Sequence, residues 1–279
     1  RPMSIMARFP ARQMSFDGSA SIKIPRQTGG TSGSFLAENG AIPVGALALD
    51  SITLTPKKMG TIIACSNELL ARSTPSAMAL VRDDIMQGIA TALDTKFVSN
   101  DAASAGVSPA GIRTFDSSST ASTGTDLDAI TADLKAAINA MTATNQPMNN
   151  VVWILNPVTA NALRFIRDGL GTYAFQDQMN RGFLVGYPFL ESTTNPSTIV
   201  MLANAGQIIV ASDLAPQISI SQDTSIHMNS APEADLISAS AGVQSMFQTD
   251  STAIRGLVSL DWASRYANSV QVISSVSWS

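Results

Sequence analysis

Residues 75–99 carry the strongest periodic pattern in the chain. Six apolar side chains recur there at intervals of three or four residues: Met78, Val81, Ile85, Ile89, Leu93 and Phe97. This spacing predicts an α-helix with one narrow apolar stripe, with Thr74 as its N-cap and Pro75 in its first turn. Such a helix measures about 36 Å, which is longer than a compact domain usually needs. We therefore expect it to lie along a sheet, with Asp83 and Asp84 on its solvated face.

The segments before this helix predict an arm and a long β-hairpin. Residues up to Phe16 lack a clear period and predict an extended arm. An alternating run from Ile22 reaches Pro25, which we expect to interrupt it, and a second run covers 51–56. The Gly-rich stretch between them, 29–34, lacks the spacing of a phosphate-binding loop. The hairpin has too few apolar residues to bury itself, so it should lie on another surface.

The rest of the chain mixes helices and strands. In chain order, the patterns first predict a low-complexity linker at 116–125 that marks a subdomain boundary, a helix from Leu127 to Met141 and a buried strand from Val151 to Leu155. They then predict a helix at 157–168 and two strands, at 199–202 and 207–211, which are joined as a hairpin through 204–206. Alternation then predicts strands around Ile218–Ile220 and Ile226–Met228, a long strand over 253–263 and a last strand at 270–273. Interleaved helices and β-hairpins indicate the α+β class.

Charge is scarce and unevenly distributed. Charged residues make up 14% of the chain, against about 25% in typical globular proteins. Residues 1–60 carry seven basic and three acidic side chains, the remainder carries ten basic and eighteen acidic ones, and the net charge is −4. This balance excludes a generally basic nucleic-acid binder. The basic front indicates either an arm that reaches across a neighbouring acidic surface or a solvated N-terminus.

No constellation of catalytic or metal-binding residues is recognisable. The single histidine, His227, is interpreted as a polar strand residue, and the single cysteine, Cys65, as a small buried hydrophobe. These counts exclude an intrachain disulfide and any metal site that needs two histidines or several cysteines. Trp153, Trp262 and Trp278 all lie in predicted strands and are interpreted as core or interface anchors. We predict no catalytic residue, no cofactor and no metal, and no apolar run approaches the ~20 residues of a membrane span.

Short sequence motifs in a defined order carry a resemblance to a known family. They are Ile22-Lys23-Ile24-Pro25-Arg26, Ala37-Glu38-Asn39-Gly40, Leu54-Thr55-Pro56-Lys57-Lys58, Ser66-Asn67-Glu68-Leu69-Leu70, Trp153-Ile154-Leu155-Asn156-Pro157, Leu184-Val185-Gly186-Tyr187-Pro188, and Phe247-Gln248-Thr249-Asp250 followed by Ala253-Ile254-Arg255. No single motif is specific. Their order over residues 16–265 resembles the major capsid proteins of tailed bacteriophages, which have the Hong Kong 97-type fold.

The resemblance implies a division of the chain into named parts. These are an N-terminal arm at 1–18, an extended loop (a β-hairpin) at 19–56, a peripheral domain at 57–125 with a spine helix at 75–99, an axial domain at 126–215, return strands of the peripheral domain at 216–268, and a C-terminal return to the axial domain at 269–279. The chain begins at Arg1 rather than Met. This start is similar to that of family members whose N-terminal scaffolding segment is removed by a maturation protease.

The resemblance also implies a structural role and no enzymatic activity. The expected protein is a coat subunit that assembles into hexamers and pentamers of an icosahedral shell around double-stranded DNA, without sequence-specific binding. Expected partners are other copies of the chain, the portal and the head maturation protease during assembly, and decoration proteins, but no membrane. The expected location is the virion, after assembly in the host bacterial cytoplasm. The alternatives are an encapsulin-like nanocompartment shell of the same fold and a hydrolase with an unrecognised carboxylate site.

The sequence departs from the cross-linking members of that family. Those members carry a lysine near the tip of the extended loop, which bonds covalently to an asparagine of a neighbour. Here the stretch from Glu38 to Ala48 contains no lysine, and Lys23, Lys57 and Lys58 lie toward the base of the hairpin. We therefore expect the strength of a shell to come from buried area and salt bridges.

Overall fold

The computed structural model of the chain describes residues 4–30, 33–36, 38, 40–42, 44–68, 76–116, 119–213, 217–229 and 242–278. Its helices are α1 (Ile5–Arg8), α2 (Ser76–Val98), α3 (Leu127–Ala143), α4 (Pro157–Phe165) and α5 (Gln176–Asn180). Its strands are β1 (Arg12–Ser15), β2 (Ile22–Gly29), β3 (Ala48–Leu54), β4 (Lys57–Ser66), β5 (Thr120–Ala121), β6 (Val151–Leu155), β7 (Phe183–Leu184), β8 (Tyr187–Glu191), β9 (Val200–Asn204), β10 (Ile208–Ser212), β11 (Gln217–Ser221), β12 (Ser225–His227), β13 (Val243–Ser245), β14 (Ser251–Ser264) and β15 (Val270–Ser274). This mixture of helices and sheets confirms the predicted α+β class.

The first large sheet has five strands built around the long strand β14. Strand β4 pairs with β14 over ten residues, and β10 and β11 lie on the other side of β14, with β1 beyond β10. Helix α2 packs across this sheet through Ile85 and Ile89, which are buried against Ile254. Gly256 permits this approach, because a Cβ at that position would lie 2.8 Å from Ile85 Cγ2. The expectation that the long helix lies along a sheet is confirmed.

The apolar stripe predicted for this helix is confirmed along its described part. The stripe positions are buried or half-buried: Val81, Ile85, Ile89, Leu93 and Phe97. Asp83 and Asp84 are exposed, as expected for the opposite face. Thr74 and Pro75 lie outside the described residues, and so does the side chain of Met78.

The second large sheet has six strands in the order β5-β15-β9-β6-β8-β7. Its central strand β6 is buried along its whole length, as the apolar run Val151–Leu155 predicted. Trp153 faces helices α3 and α4 in one apolar cluster, whereas Ile154 faces a second cluster that contains Phe97 and Trp262. A strand covered on both faces needs apolar residues throughout rather than alternation. The second cluster joins the two sheets into one core.

Strands β9 and β10 do not form the predicted hairpin. Strand β9 pairs with β6 and β15 in the six-stranded sheet, whereas β10 pairs with β1 and β14 in the five-stranded sheet. A 3-10 turn at Ala205–Gln207 redirects the chain, and the Ala205 amide donates to the Asn150 carbonyl at 2.8 Å. Both strands are largely buried, so each belongs inside a separate sheet. The chain therefore changes sheets well before the predicted domain boundary at 215.

The described part of the N-terminal arm is folded against the body, contrary to the expectation of an extended segment. Strand β1 pairs in parallel with β10, and Ile5 is fully buried. Phe9 packs edge-on against Phe97, with ring centroids 5.4 Å apart. The buried carboxylate of Asp94 accepts hydrogen bonds from the amides of Ile5 and Met6 at 3.0 and 3.1 Å. Contacts between such distant residues leave no period in the sequence.

Three smaller expectations are also corrected. Pro25 does not interrupt β2, because each strand of a two-stranded ribbon has a free edge where no N–H is required. The helix expected at 157–168 ends at Phe165, since Ile166 has an extended backbone. The linker expected at 116–125 contributes β5, which pairs in parallel with β15 at the edge of the six-stranded sheet.

Candidate assembly surfaces

The predicted hairpin of β2 and β3 is anchored in the core at its base. The two strands pair from Ile22 opposite Leu54 to Gly29 opposite Ala48. Leu54 is 1% exposed and belongs to a buried cluster with Phe16. The base of the hairpin is therefore part of the folded body, whereas the loop that joins the strands lies beyond the ladder.

Two ion pairs support the hairpin. Lys57 Nζ lies 2.7 Å from Asp261 Oδ1, and the Thr55 amide donates to the other carboxylate oxygen of Asp261 at 3.0 Å. Further along the ribbon, Arg26 Nε donates to Asp50 Oδ2 at 2.9 Å. Hydrogen bonds from Arg26, helped by the Ser51 amide and by the Arg26 charge, lower the pKa of Asp50. The contacts of Asp261 attach the base of the hairpin to β14, whereas the Arg26–Asp50 pair joins the two strands of the hairpin to each other.

Residues 30–47 join the two strands and are here called the loop tip, and the part of it that the structure describes exposes several apolar side chains. Its described large apolar side chains all face solvent: Phe35, Leu36, Ile42, Val44 and Leu47. Ile42 and Val44 are 79% and 98% exposed. Burial of one such side chain contributes about 1.5–3 kcal/mol, and soluble monomers rarely expose a large group of them together. The loop tip therefore has the character of a surface that another molecule covers.

A second set of exposed apolar residues follows strand β6. It comes from helix α4, the loop after it and the β7–β8 turn: Val158, Phe165, Leu170, Phe183 and Val185. Phe165 also packs edge-on against Tyr173, with ring centroids 6.3 Å apart, and the Arg167 guanidinium lies 4.9 Å from the centre of the same ring. These exposed residues of the six-stranded sheet and of helix α4 are the second candidate for contacts between subunits.

The turn between β7 and β8 has two residues in the left-handed region. Val185 and Gly186 have φ of +49° and +80°, and they connect the pair Leu184–Tyr187. Two positive φ values define a type I′ turn, in which glycine is favoured and a β-branched residue is strained. The Val185 amide donates to Gln178 Oε1 at 3.1 Å, which helps to hold this conformation.

We expect Gly186→Val to lower the free energy of unfolding by roughly 1–3 kcal/mol, and Val185→Asn to raise it by about 1 kcal/mol. No atom lies within 4 Å of a Cβ placed at Gly186, so the loss would come from backbone strain alone. Thermal unfolding of unassembled subunits measures both variants. Equal melting temperatures for the two variants and the parent protein would contradict this account of the turn.

A groove with a volume of about 780 Å³ lies on the face of the five-stranded sheet opposite α2. Its floor is formed by alternate residues of β4 and β14, including Ile62, Ala64, Arg255 and Leu257, and β12 forms a wall. Gly256, between the two β14 residues, faces α2 instead. This feature is called the outer groove below, and it is the third candidate assembly surface.

The residues singled out in the sequence lie as follows. His227 is in β12 and lines the outer groove, and Cys65 is buried in β4, as interpreted. Trp153 and Trp262 are buried in β6 and β14, whereas Trp278 follows β15 and is buried outside any strand, which corrects its assignment. Across the described ranges, no three metal-ligating side chains converge, and no helix is long and apolar enough to cross a membrane.

Sequence reasoning did not predict the outer groove. Its floor and wall come from segments far apart in the chain, and Arg255 reads as an ordinary exposed strand residue. One local signal existed in β4. The adjacent residues Ile62 and Ile63 place an apolar side chain on each face of the strand, and only Ile63 packs against the α2 side.

The chain has the Hong Kong 97-type fold, which it shares with solved chains of phage origin. A solved chain from Microbacterium phage Oxtober96 matches with a TM-score of 0.79 over 98% of this chain and 92% of that one, at 12% identity. A chain from Mycobacterium phage Adephagia matches with a TM-score of 0.75 over 98% and 90%, at 14% identity. The capsid of a native GTA particle computed with C5 symmetry matches with a TM-score of 0.71 over 98% and 90%, at 15% identity.

The chain belongs to the Phage capsid family, which matches residues 3–275. It is 30% identical over its whole length to the capsid polyprotein of Pseudomonas phage PAJU2, and 25% identical over 95% of its length to the major capsid protein of Klebsiella oxytoca phage phiKO2. The chain spans 43% and 62% of the lengths of these two relatives. The family consists of structural proteins of the virion capsid rather than enzymes, which confirms the resemblance read from the sequence motifs.

Proposed function

We propose that the chain is the major coat subunit of a tailed phage, which assembles into the hexamers and pentamers of an icosahedral shell. The observation that carries this proposal is the loop tip, whose described apolar side chains are exposed and lie beyond the end of an anchored hairpin. An isolated subunit gains no stability from such a loop, whereas a neighbouring copy can bury it. The related capsid computed with C5 symmetry supports a ring of several copies.

In this proposal the two large sheets belong to different parts of the shell. The six-stranded sheet with α3 and α4 forms the axial domain, which meets its copies at the centre of each ring. The exposed apolar residues after β6 support this role, because they offer a surface to bury. The five-stranded sheet with α2 forms the peripheral domain, and the hairpin makes lateral contacts. The chain passes to the peripheral domain at Ala205 and returns to the axial domain with β15.

The shell is proposed to enclose double-stranded DNA without sequence-specific contacts. A net charge of −4 suits a container, because a strongly basic wall would bind DNA through counterion release and resist its ejection. The portal, the head maturation protease and decoration proteins are proposed partners during and after assembly. Assembly is proposed to take place in the host bacterial cytoplasm.

The proposed function is tested by imaging the product of expression in bacteria. We expect closed, regular particles in negative-stain micrographs, and DNA inside particles produced during phage infection. Particles that enclose an enzyme would identify a nanocompartment shell of the same fold instead. A chain that remains monomeric at every concentration would contradict a coat function.

We expect mature particles to contain no covalent links between subunits. The described part of the loop tip offers no amine for an isopeptide bond, and Cys65, the single cysteine, is buried. Boiled and reduced particles should therefore run as one band near the chain mass of 29.2 kDa. A ladder of larger species that survives denaturant and reductant would contradict this expectation and point to Lys23, Lys57 or Lys58 as donors.

A further inference from the structure

Strand β11 is an exposed edge of the five-stranded sheet. All residues of β11 (Gln217–Ser221) are exposed, and within the described ranges the strand pairs with β14 alone. The neighbouring strand β10 lies on the same side of β14, but its outer edge is covered by β1 of the arm. That cover ends at Ser15, because the residues that follow, Asp17 and Gly18, have the positive φ values of a turn. Among the described residues, no strand therefore covers the outer N–H and C=O groups of β11.

The other outer strands of the two large sheets have the features by which soluble proteins protect a sheet edge. Among the described strands, β5 and β7 are two residues long, β1 contains Arg12, and β4 contains Lys57 and Lys58. Short strands and charged side chains both oppose pairing with a second molecule. Strand β11 is longer than β5 and β7, and its sequence contains no charged residue and no proline. An edge without this protection indicates a strand that pairs with another molecule.

The two isoleucines of β11 lie on the face of the sheet that helix α2 covers. Ile220 pairs with Ile254, which is 3% exposed beneath the helix. Ile218 pairs with Gly256, the residue that α2 approaches closely. Directly paired residues of neighbouring strands lie on the same face of a sheet. Ile218 and Ile220 are nevertheless 38% and 60% exposed, so they extend the apolar face to an edge where a further strand would bury them.

The sequence of β11 is complementary to a second copy of itself. In an antiparallel pair centred on Ser219, Ile218 of each strand lies opposite Ile220 of the other. Gln217 of each strand then lies opposite Ser221 of the other. Isoleucines therefore meet on the α2 face and uncharged polar side chains meet on the opposite face. Matched pairs of this kind stabilise an antiparallel ladder, and a contact between identical surfaces has two-fold symmetry.

We propose that β11 pairs in antiparallel fashion with β11 of a second copy, about a two-fold axis at Ser219, and extends the five-stranded sheet across two subunits. The inference rests on the proposed function, because neighbouring rings of a closed, symmetric shell are related by two-fold or nearly two-fold axes. A ladder of five residues is marginal by itself in water. The pairing therefore forms between copies that the other contacts of the shell hold close together.

Like charges do not oppose this pairing. Arg255 of β14 lies opposite Ser219, so it is the charged residue that stands closest to the proposed axis within the β11–β14 ladder. Three strand spacings, about 14 Å, would separate its backbone from that of its counterpart in the second copy. This distance exceeds the screening length of ~8 Å at physiological ionic strength.

Disulfide formation at the proposed axis tests both the pairing and its register. Residues directly opposite in an antiparallel pair have Cα atoms about 4.5–5.5 Å apart, which is within the range that a disulfide spans. Ser219→Cys in a Cys65→Ala background should therefore give a dimer as the main product on non-reducing gels of oxidised particles. Cys65→Ala alone should give only the single chain.

Ser221→Cys in the same background is the matched control. Ser221 is exposed on the same face of β11 as Ser219, but its two copies would lie about 14 Å apart along the strands. This variant should remain monomeric on the gel, and addition of Gln217→Cys should produce the dimer, because positions 217 and 221 lie opposite each other. Well-formed particles of Ser219→Cys without the dimer would overturn the inference and leave the proposed coat function intact. Equal amounts of dimer from Ser219→Cys and Ser221→Cys would also overturn it.

A charge exchange tests whether the pairing contributes to assembly. Ile218→Lys with Ile220→Lys places like charges opposite each other across the axis, whereas Ile218→Lys with Ile220→Glu places opposite charges there twice. The yield of shells from the second variant should exceed that from the first by about tenfold. Both positions are exposed, so the unassembled subunits of the two variants should unfold at similar temperatures.

The reversed variant, Ile218→Glu with Ile220→Lys, is expected to give the same yield as Ile218→Lys with Ile220→Glu, because the two-fold axis makes the arrangements equivalent. Equal yields from the variant with two lysines and the variants with opposite charges would contradict the inference. A parent protein that forms no particles would contradict the proposed function, and this inference with it.

Discussion

Replacement of residues 30–47 by a two-residue Asn-Gly turn is expected to abolish shell formation and to leave the subunit folded. The turn would connect Gly29 directly to Ala48, which are already paired in the ladder. The exchange removes the exposed side chains Phe35, Ile42 and Val44 and none of the buried residues of the described core. The free energy of unfolding of the subunit should therefore change by less than about 1 kcal/mol.

The loss of assembly follows from the apolar area that the loop tip offers to a neighbour. Each of its large apolar side chains is worth about 1.5–3 kcal/mol on burial, and a closed shell contains this contact once for every subunit. Particle yield by sedimentation and a cooperative melt of the subunit together measure the effect. A triple variant, Phe35→Ser, Ile42→Ser and Val44→Ser, keeps the loop length and should also fail to assemble. Normal particles from either protein would show that the loop tip has no role between subunits.

Gly111→Ala is expected to destabilise the subunit by about 3 kcal/mol or more, through a collision that the fold cannot avoid. A Cβ at this position would lie 2.0 Å from the carbonyl oxygen of Ser99, just beyond the end of α2. The two segments are held together by a hydrogen bond from the Gly111 amide to the Asp101 carbonyl at 2.9 Å, and Ile112 is fully buried beside them. The melting temperature should fall by roughly 6–12 °C.

Gly88→Ala is the matched control for this substitution. Gly88 lies in α2, where no atom comes within 4 Å of an added Cβ. Alanine has the higher helix propensity, so this variant should gain about 0.5–1 kcal/mol in the free energy of unfolding. If Gly111→Ala melted at the same temperature as the parent protein, the close approach between Ser99 and Gly111 would be absent in solution.

The elements predicted correctly share a simple local pattern. Helix α2 has one apolar stripe, β6 has an unbroken apolar run, and β2 and β3 alternate around a Gly-rich loop. In each of these elements the burial of the side chains follows a regular pattern along the chain, so the pattern of the apolar residues in the sequence shows which faces are buried. The order of the short motifs then indicated the family, because the motifs extend over most of the chain.

The expectations that failed concern pairing between distant segments. Strands β9 and β10 are adjacent in sequence and separated by a short polar turn, yet each has a different sheet as its partner. The arm lacks a period because Ile5 and Phe9 are held by contacts with distant residues, among them Asp94 and Phe97 on a helix far along the chain.

The sequence by itself determined the class of the fold, its longest helix, the hairpin and the membership of a capsid family. The tertiary structure decided how the chain divides between two sheets, where the arm lies and that β4, β12 and β14 enclose the outer groove. The physical reason is the range of the interactions. Periodicity records which faces of a helix or strand are buried, whereas the choice of partner strand and the shape of a groove depend on residues that meet only after the chain has folded.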